Sequence, residues 1–324
     1  VVVLENSTVN GGVLRVNDKA GSLVRFSGEI TLNAVPWEDP GAGEFQVYNT
    51  TTRFLGDYAG GLPAGYHLVI WSSNTHSAVQ LTIPGGVYTN DGRIELRHKG
   101  DGWRGYPRLH WQGSGTLAGT GEVWMSGAGD WNLLTGETGA ELTIGPDQWV
   151  HGRGEIQLAV LNQGRLEASV NGKELRVAQA VDNQGTLWAS NGGILKIQGL
   201  LTNTGTVGTQ ADPGAGSCSF VGGVLNTGTI ALGSGTGNWT MTGTVDLGLD
   251  VSAGPGQTVH LTDVTMANAG RAIVADGGVV VLENSTVNGG VLRVNDKAGS
   301  LVRFSGEITL NAVPWEDPGA GEFQ

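Results

Sequence analysis

The 324-residue sequence has little cysteine, few aromatic residues and little charge, and each shortage excludes a class of protein. Its one cysteine, Cys218, has no partner for an internal disulfide, and we interpret it as a small buried apolar residue. Aromatic residues make up 6% of the chain and charged residues 15%. No apolar run approaches the roughly 18 residues that a membrane-spanning helix needs, so we expect no membrane insertion of this segment.

Glycine, by contrast, is abundant, and its distribution narrows the fold class. The chain contains 56 glycines without a strict spacing of three, which excludes collagen. Short alternating apolar runs recur along the whole length and argue against disorder. A turn-rich chain with little charge is typical of an all-β protein.

The first and last parts of the sequence are identical over 46 residues. Residues 1–46 recur as residues 279–324, at an offset of 278. A shared fold constrains core positions and turn glycines but leaves surface positions free to change, so identity at every position indicates a tandem array. The sequence therefore predicts one full repeat, residues 1–278, followed by the start of the next identical repeat.

The net charge indicates which partners such an array would have. The chain carries −12, and without the second copy, which holds six acidic and three basic residues, one period carries −9. A repeated polyanion repels nucleic acid and anionic membranes and attracts divalent cations. We therefore expect no nucleic-acid partner and no cofactor, with Ca²⁺ as the one candidate ion.

A shorter repeat of the form Asn-x-Gly-x-apolar lies inside the long one. From Asn162 onward its spacings are 21, 20, 23 and 42 residues, the last being two coils of 21. We expect these asparagines to adopt the left-handed conformation at corners and to bond to one another from coil to coil, and the glycines to supply further positive φ angles. The predicted corner residues are Asn90, Gly92, Asn162, Gly164, Asn183, Gly185, Asn203, Gly205, Asn226, Gly228, Asn268 and Gly270.

Apolar and polar residues alternate after each of these turns, as in short strands with one buried face. Leu187 and Ala189, for example, alternate with Thr186 and Trp188. Short strands that recur every 20–23 residues predict a right-handed parallel β-helix, or β-solenoid, of about 20–23 residues per coil. Residues 47–111 are less regular and are expected to carry side elaborations, and residues 36–44 are expected to bulge as a loop.

Several of these coil sequences resemble known proteins. Residues 89–94, 181–187 and 201–207 resemble the coils of large bacterial surface β-helices: filamentous haemagglutinin-like adhesins, autotransporter passengers and giant extracellular repeat proteins. The resemblance implies secretion, an extracellular or cell-surface location, and a role as stalk, adhesin or fibre. The verbatim long period departs from adhesin passengers, whose coils usually vary, and favours a structural array.

Few residues suggest catalysis or metal binding. The densest acidic group is Glu38, Asp39 and Glu44, which we interpret as a solvated loop, with a cation site or a contact between strands as weaker alternatives. A catalytic role in a polysaccharide lyase or hydrolase is the least favoured interpretation, because no paired carboxylates recur at coil spacing on one outward face. The sequence therefore predicts a protein without enzymatic activity.

Two tryptophans, Trp124 and Trp188, fall on outward positions of the predicted strands. They could stack on sugar rings, pack against a side loop or a neighbouring fibre, or point inward if the register is misread. Taken with the repeat, the sequence predicts a structural extracellular fibre or stalk whose main partner is itself. The alternative is a giant surface adhesin that binds glycans or host proteins.

Overall fold

The predicted all-β parallel solenoid is confirmed. The computed structural model describes residues 1–16, 19–38, 43–72, 79–98, 105–129, 131–210, 215–231, 237–317, 319 and 321–324, with the backbone alone at 49 and 50. These residues form strands and turns without a helix, in two compact units, Val1–Arg165 and Leu166–Gln324. Together the units hold about 13 turns of solenoid. The right-handed winding stays a prediction.

The strands are mostly short and are separated by turns. In the first unit they are β1 (Val2–Glu5), β2 (Thr8–Asn10), β3 (Leu14–Arg15), β4 (Leu23–Asn33), β5 (Trp37–Glu38), β6 (Glu44–Gly56), β7 (Gly61–Leu62), β8 (His67–Ser72), β9 (Val79–Asn90), β10 (Arg93–His98), β11 (Pro107–Ala118), β12 (Glu122–Gly127), β13 (Leu133–Gly136), β14 (Glu141–Ile144), β15 (Trp149–Gly152), β16 (Gly154–Ile156) and β17 (Ala159–Asn162). From the last residue of that unit onward they are β18 (Arg165–Ala168), β19 (Glu174–Val177), β20 (Val181–Asn183), β21 (Thr186–Ala189), β22 (Ile194–Ile197), β23 (Leu201–Asn203), β24 (Thr206–Thr209), β25 (Ser217–Phe220), β26 (Val224–Asn226), β27 (Thr229–Ala231), β28 (Trp239–Asp246), β29 (Val251–Ala253), β30 (Thr258–Ala267), β31 (Ala272–Ala275), β32 (Val279–Glu283), β33 (Thr286–Asn288), β34 (Val291–Val294), β35 (Leu301–Ser305), β36 (Thr309–Asn311), β37 (Trp315–Glu316) and β38 (Glu322–Phe323).

In the first unit, successive coils pair in parallel, so that each inward side chain stacks on its counterpart one coil away. The pairs β4 with β6, β6 with β8, β8 with β10 and β10 with β12 continue one sheet. One inward column of this sheet is buried throughout and consists of Val24, Phe45, Leu68, Ile94 and Val123. Because paired strands lie about 4.8 Å apart, such a column forms a continuous apolar core.

The second unit is built in the same way, and its core contains the single cysteine. One buried inward column consists of Leu195, Cys218, Trp239, Val259, Val280 and Val302. Burial raises the pKa of the Cys218 thiol, which opposes thiolate formation. The interpretation of this cysteine as a buried apolar residue is therefore confirmed.

Coil length differs between the two units. In the second unit, paired residues are between 19 positions apart, as for Ala272 and Val291, and 23 positions apart, as for β22 and β25. In the first unit the offset rises to 26 between His67 and Arg93 and to 29 between Arg93 and Glu122. The predicted length of 20–23 residues therefore describes the second unit well and is too short for the middle of the first.

Asparagines at coil corners form a buried side-chain ladder in the second unit. Asn183 Nδ2 donates a hydrogen bond to Asn203 Oδ1 at 2.6 Å, and Asn203 Nδ2 donates to Asn226 Oδ1 at 2.5 Å. Asn226 Nδ2 then donates to the backbone carbonyl of Leu247 at 2.5 Å. Since a buried polar group without a partner costs about 1–3 kcal/mol, this ladder penalises any slip of one coil against the next.

The backbone at these corners differs from the expectation. Most of the predicted corner asparagines are the last residue of a strand, and none has a positive φ angle; they are Asn90, Asn162, Asn183, Asn203, Asn226 and Asn268. Among the described asparagines, the left-handed conformation occurs instead at Asn6, Asn191 and Asn284, with φ of 43°, 48° and 45°. The left-handed prediction is therefore wrong for the ladder positions, where the backbone continues the strand.

The corner glycines are required by close approach rather than by their dihedral angles. Of the predicted set, only Gly270 has a positive φ, at 71°. A Cβ atom added at Gly205 or Gly228 would lie 2.2 or 2.3 Å from a carbonyl oxygen of the preceding coil, and Gly92 and Gly164 are similarly crowded. A side chain at these positions would push two coils apart.

Gly228→Ala is expected to lower the free energy of unfolding by about 1–3 kcal/mol, because the new methyl group meets the carbonyl oxygen of Gly205. Gly60→Ala is the matched control, since a Cβ there meets nothing within 4 Å and the residue has no positive φ. Urea denaturation followed by circular dichroism compares the two variants. Equal transition midpoints would show that the close approach carries no energetic weight.

Candidate functional site

Two of the three carboxylates in the predicted acidic loop lie in strands and contact different arginines. Glu38 belongs to β5, which pairs with β3, and forms an ion pair with Arg15. Glu44 starts β6 and accepts a hydrogen bond from Arg97 Nη1 at 2.6 Å. Asp39 lies outside the described residues. The expected bulge is wrong for residues 37 and 38, because their backbone pairs with the coil before.

Across the described part of the chain, Glu38 and Glu44 included, no group of three or more His, Cys, Asp or Glu side chains is placed to hold a metal ion. The proposed Ca²⁺ site at residues 38–44 therefore has no ligand cluster to support it among the residues described. Ca²⁺ binding stays a prediction from composition alone.

A buried carboxylate that the sequence pattern did not reveal lies on the outer face of the first unit. Glu95 alternates with inward residues of β10 and so points away from the core, yet it is only 2% exposed. It accepts hydrogen bonds from Arg97 Nε at 2.7 Å and from Ser126 Oγ at 2.5 Å, and His67 Nε2 lies 2.9 Å from its Oε2. Because Arg97 also binds Glu44, the cluster links the coils of β6, β8, β10 and β12.

These contacts control the protonation of Glu95. Burial alone would raise the pKa of this carboxyl group, but hydrogen bonds from His67, Arg97 and Ser126 and the charge of Arg97 outweigh burial and hold the pKa of Glu95 well below its usual range. The hydrogen bond to Glu95 in turn raises the pKa of Arg97. A carboxyl group held ionised in this way is a poor proton donor near neutral pH, so the cluster suits a structural ion pair.

Trp124 lies one coil beyond Glu95 on the same outer face, and side chains of neighbouring coils pack on it. The guanidinium carbon of Arg93 lies 4.1 Å from the centre of the indole ring, and the His151 ring stacks on it at 6.2 Å between centroids. Arg93 Nε and His151 Nε2 lie 3.1 and 3.0 Å from the carboxylate oxygens of Glu122. The outward position of Trp124 is as predicted, but the side chains that pack on it belong to strands of the coils before and after it and not to a side loop.

Trp188, in the second unit, is also half-buried on an outward position. It pairs with Gly208 of the next coil, and a Cβ added to that glycine would lie 2.5 Å from the indole ring. The ring therefore lies against the glycine. Among the described residues, the more exposed tryptophans are Trp315 and Trp131.

A groove of about 420 Å³ crosses successive coils at one corner of the first unit. Its lining comes from residues 65–67, 91–93, 120–122, 147 and 149. The Asp91 carboxylate accepts hydrogen bonds from the backbone N–H and the hydroxyl of Thr120, at 2.9 and 3.2 Å, and Asp147 is exposed. With the half-buried rings of Tyr66 and Trp149 in its wall, the groove combines aromatic surface with carboxylate acceptors, which suits a polyhydroxylated ligand.

The two identical segments, residues 1–46 and 279–324, differ in which of their residues are buried. The first difference lies in the opening half of each segment. In residues 279–324, Leu282 and Leu292 are fully buried against β30 and β31. Their counterparts in the first copy, Leu4 and Leu14, are only half-buried, and Val2 is 55% exposed. The opening half of the segment is therefore covered in the second copy and bare in the first.

The later halves show the reverse, through an aromatic cluster. Trp37 is 3% exposed and packs on Tyr58 and Tyr66, at centroid distances of 4.9 and 5.4 Å, and on Phe54 at 5.8 Å. Its counterpart Trp315 is 54% exposed and keeps only the stacked partners of its own segment, Phe304 and Phe323. The side of the segment that is buried in one copy is therefore the side that is exposed in the other copy.

Glu95→Gln is expected to flatten the loss of stability in acid. Because the folded-state pKa of Glu95 is lowered, its stabilisation is fully present above the unfolded value of about 4.3 and is lost as pH falls through the folded-state pKa. The urea midpoint of the unaltered chain should therefore fall more steeply below about pH 5 than that of the variant. Glu141→Gln, which changes an exposed carboxylate on β14, is the control, and parallel profiles for all three chains would refute the role of Glu95.

In the part of the chain that the structure describes, no helix has the length and apolar character needed to cross a bilayer. The main evidence on function is the repeated 46-residue segment, because it occurs twice and packs against a different neighbouring coil in each copy. Comparisons with protein-family models, with curated proteins and with solved structures found no match.

Proposed function

We propose that this chain is part of a non-enzymatic structural fibre or stalk, a β-solenoid that continues from one 278-residue period into the next. The observation that carries the proposal is that the identical segment packs on a preceding coil in its second copy and under a following coil in its first copy. The preceding coil covers the segment in the second copy, and the following coil covers it in the first copy. When periods follow one another, the segment between them is covered on both sides. One period can therefore follow another without any change in the packing of this segment.

The aromatic cluster shows what a following period would supply. Phe54, Tyr58 and Tyr66 close the cluster around Trp37 in the first unit, and the same three residues of a following period would close it around Trp315. An aromatic side chain buries about 150–250 Å², so covering the exposed half of Trp315 is worth on the order of 3 kcal/mol. The junction between periods would thus be as well packed as the coils within a period.

Such a solenoid acts mechanically, and its main partner is itself. Backbone pairing joins each coil to the coils before and after it, so stability accumulates mainly by nearest-neighbour stacking as the array lengthens. The charge of −9 per period favours solubility of a long array. The extracellular or cell-surface location follows from the resemblance of the coil sequences to bacterial surface β-helices.

A chain lengthened by one further 278-residue period tests the proposal by cryo-electron microscopy. We expect a single continuous rod, longer by roughly 60 Å, with a repeat near 4.8 Å along its axis, because the new coils add in register. The matched control is the same lengthened chain with Trp315→Asp and Phe304→Asp, which should bend or separate at the junction. Two rods joined by a flexible link in the unaltered lengthened chain would overturn the proposal.

A surface adhesin is the second candidate function, and the groove at residues 65–149 favours it. If the groove binds a glycan, Asp91→Ala with Asp147→Ala should abolish binding on a glycan array by removing two carboxylate acceptors from its lining. Glu137→Ala, on an exposed carboxylate outside the groove lining, should leave binding unchanged. If neither a glycan array nor a pull-down with host proteins finds a ligand for the unaltered chain, the adhesin function is excluded.

A further inference from the structure

We propose that the groove of the first unit binds a linear glycan without acidic groups, which lies along the solenoid axis so that each coil contacts about one sugar ring. This assignment rests on the adhesin function proposed above and adds to it a chemical class, a direction and a length for the ligand. Three features of the groove carry it: the spacing of its side chains, its charge and the rigidity of its ends.

One row of lining side chains follows the solenoid axis at one residue per coil. His67 pairs with Arg93, and Arg93 pairs with Glu122. Glu122 pairs in turn with Trp149 on the next coil. These residues are the first ones of β8, β10, β12 and β15, and all of them line the groove.

A second row runs beside the first, with only backbone between the two. Asp91, Thr120 and Asp147 each lie two positions before a member of the first row and also line the groove. Between the rows lie Gly92 and Gly121, where an added Cβ would collide with a carbonyl oxygen of the coil before. The groove therefore has two rows of polar side chains at the same spacing and a floor that no side chain fills.

The spacing of the rows matches a glycan better than a peptide. Paired strands lie about 4.8 Å apart, so the row from His67 to Trp149 is roughly 14 Å long. One coil step is close to the length that one ring adds to an extended glycan, so successive rings would meet equivalent side chains. An extended peptide advances about 3.3 Å per residue and would lose register with the coils. The rows therefore fit about four sugar rings.

The charge of the groove selects against acidic ligands. The two basic side chains of the lining, Arg93 and His67, each lie against a glutamate, with N···O distances of 3.1 and 2.9 Å. Asp91 and Asp147 therefore determine the net charge, which is negative. Carboxylates accept strong hydrogen bonds from sugar hydroxyl groups, whereas a second anion beside them is repelled. A glycan without uronic acid, sialic acid or sulfate groups is the ligand that this lining fits.

The aromatic rings at the two ends of the groove are held in place by their neighbours. The backbone N–H of Trp37 donates a hydrogen bond to the Tyr66 hydroxyl at 3.1 Å. At the other end, the indole ring of Trp149 stacks on His151 at 3.8 Å between centroids. Rings fixed in this way offer apolar contact to the C–H groups of a sugar without losing side-chain freedom on binding.

A printed array of neutral and uronic-acid oligosaccharides of increasing length tests the ligand class with the unaltered chain. We expect signals on neutral glycans that increase up to about four rings and then level off, because further rings extend beyond the lining. Acidic glycans should give no signal. Signals that are complete with a single ring, or that occur on acidic glycans alone, would overturn the proposal.

Asp91→Asn with Asp147→Asn tests whether the groove is the site, because it keeps the shape of both side chains and removes their charge. We expect neutral glycans to bind about tenfold more weakly, since charge-assisted hydrogen bonds become neutral ones, and acidic glycans to be admitted. Glu137→Gln with Glu141→Gln is the matched control, since it removes the same charge from exposed residues outside the lining and should alter neither preference.

Equal urea midpoints for the unaltered chain and both variants establish that the substitutions leave the fold intact. If glycans bind the array but the asparagine variant binds them as the unaltered chain does, the adhesin function stands and the groove is not its site. If no glycan binds, the adhesin function and the groove ligand are both excluded. The structural fibre is tested separately by the length of the rod and stands in either case.

Discussion

The backbone edge of each coil is the constraint on which the rest of the structure depends. A parallel strand presents a row of N–H and C=O groups on both edges, and burying such groups without partners is costly. In each unit the next coil meets this requirement by pairing in register, which places like side chains over one another. The apolar columns, the asparagine ladder and the crowded glycines all follow from that stacking.

The inside and the outside of the first unit obey different rules. Inside, apolar residues of different size stack in one column, such as Val24, Phe45 and Leu68 from three successive coils. Outside, Glu95 and Arg97 form a specific ion-pair cluster whose members come from several coils. The solenoid thus provides a uniform core while its outer face carries individual chemistry.

The sequence revealed the features that repeat locally, and missed those that depend on contacts between coils. Alternation around Leu187 predicted the strands, and the regular spacing of Asn183, Asn203 and Asn226 predicted the ladder. Glu95 was missed because two of its partners lie on coils at unequal offsets, 26 residues for the coil before and 29 for the coil after, which no fixed period would align. Trp37 was assigned to a loop because proline and glycine flank it, although its strand pairing and its aromatic neighbours place it in the core.

The unequal coils also determine how the protein would respond to force. Pulled by its two ends, a solenoid comes apart one coil at a time, and each released coil adds contour length in proportion to its residues, at about 3.4 Å per residue. A coil of 20 residues, as between Glu174 and Ile194, releases roughly 70 Å, whereas the coil of 29 residues between Arg93 and Glu122 releases roughly 100 Å. In a force–extension measurement, the size of each unfolding step would therefore show which coil has come apart.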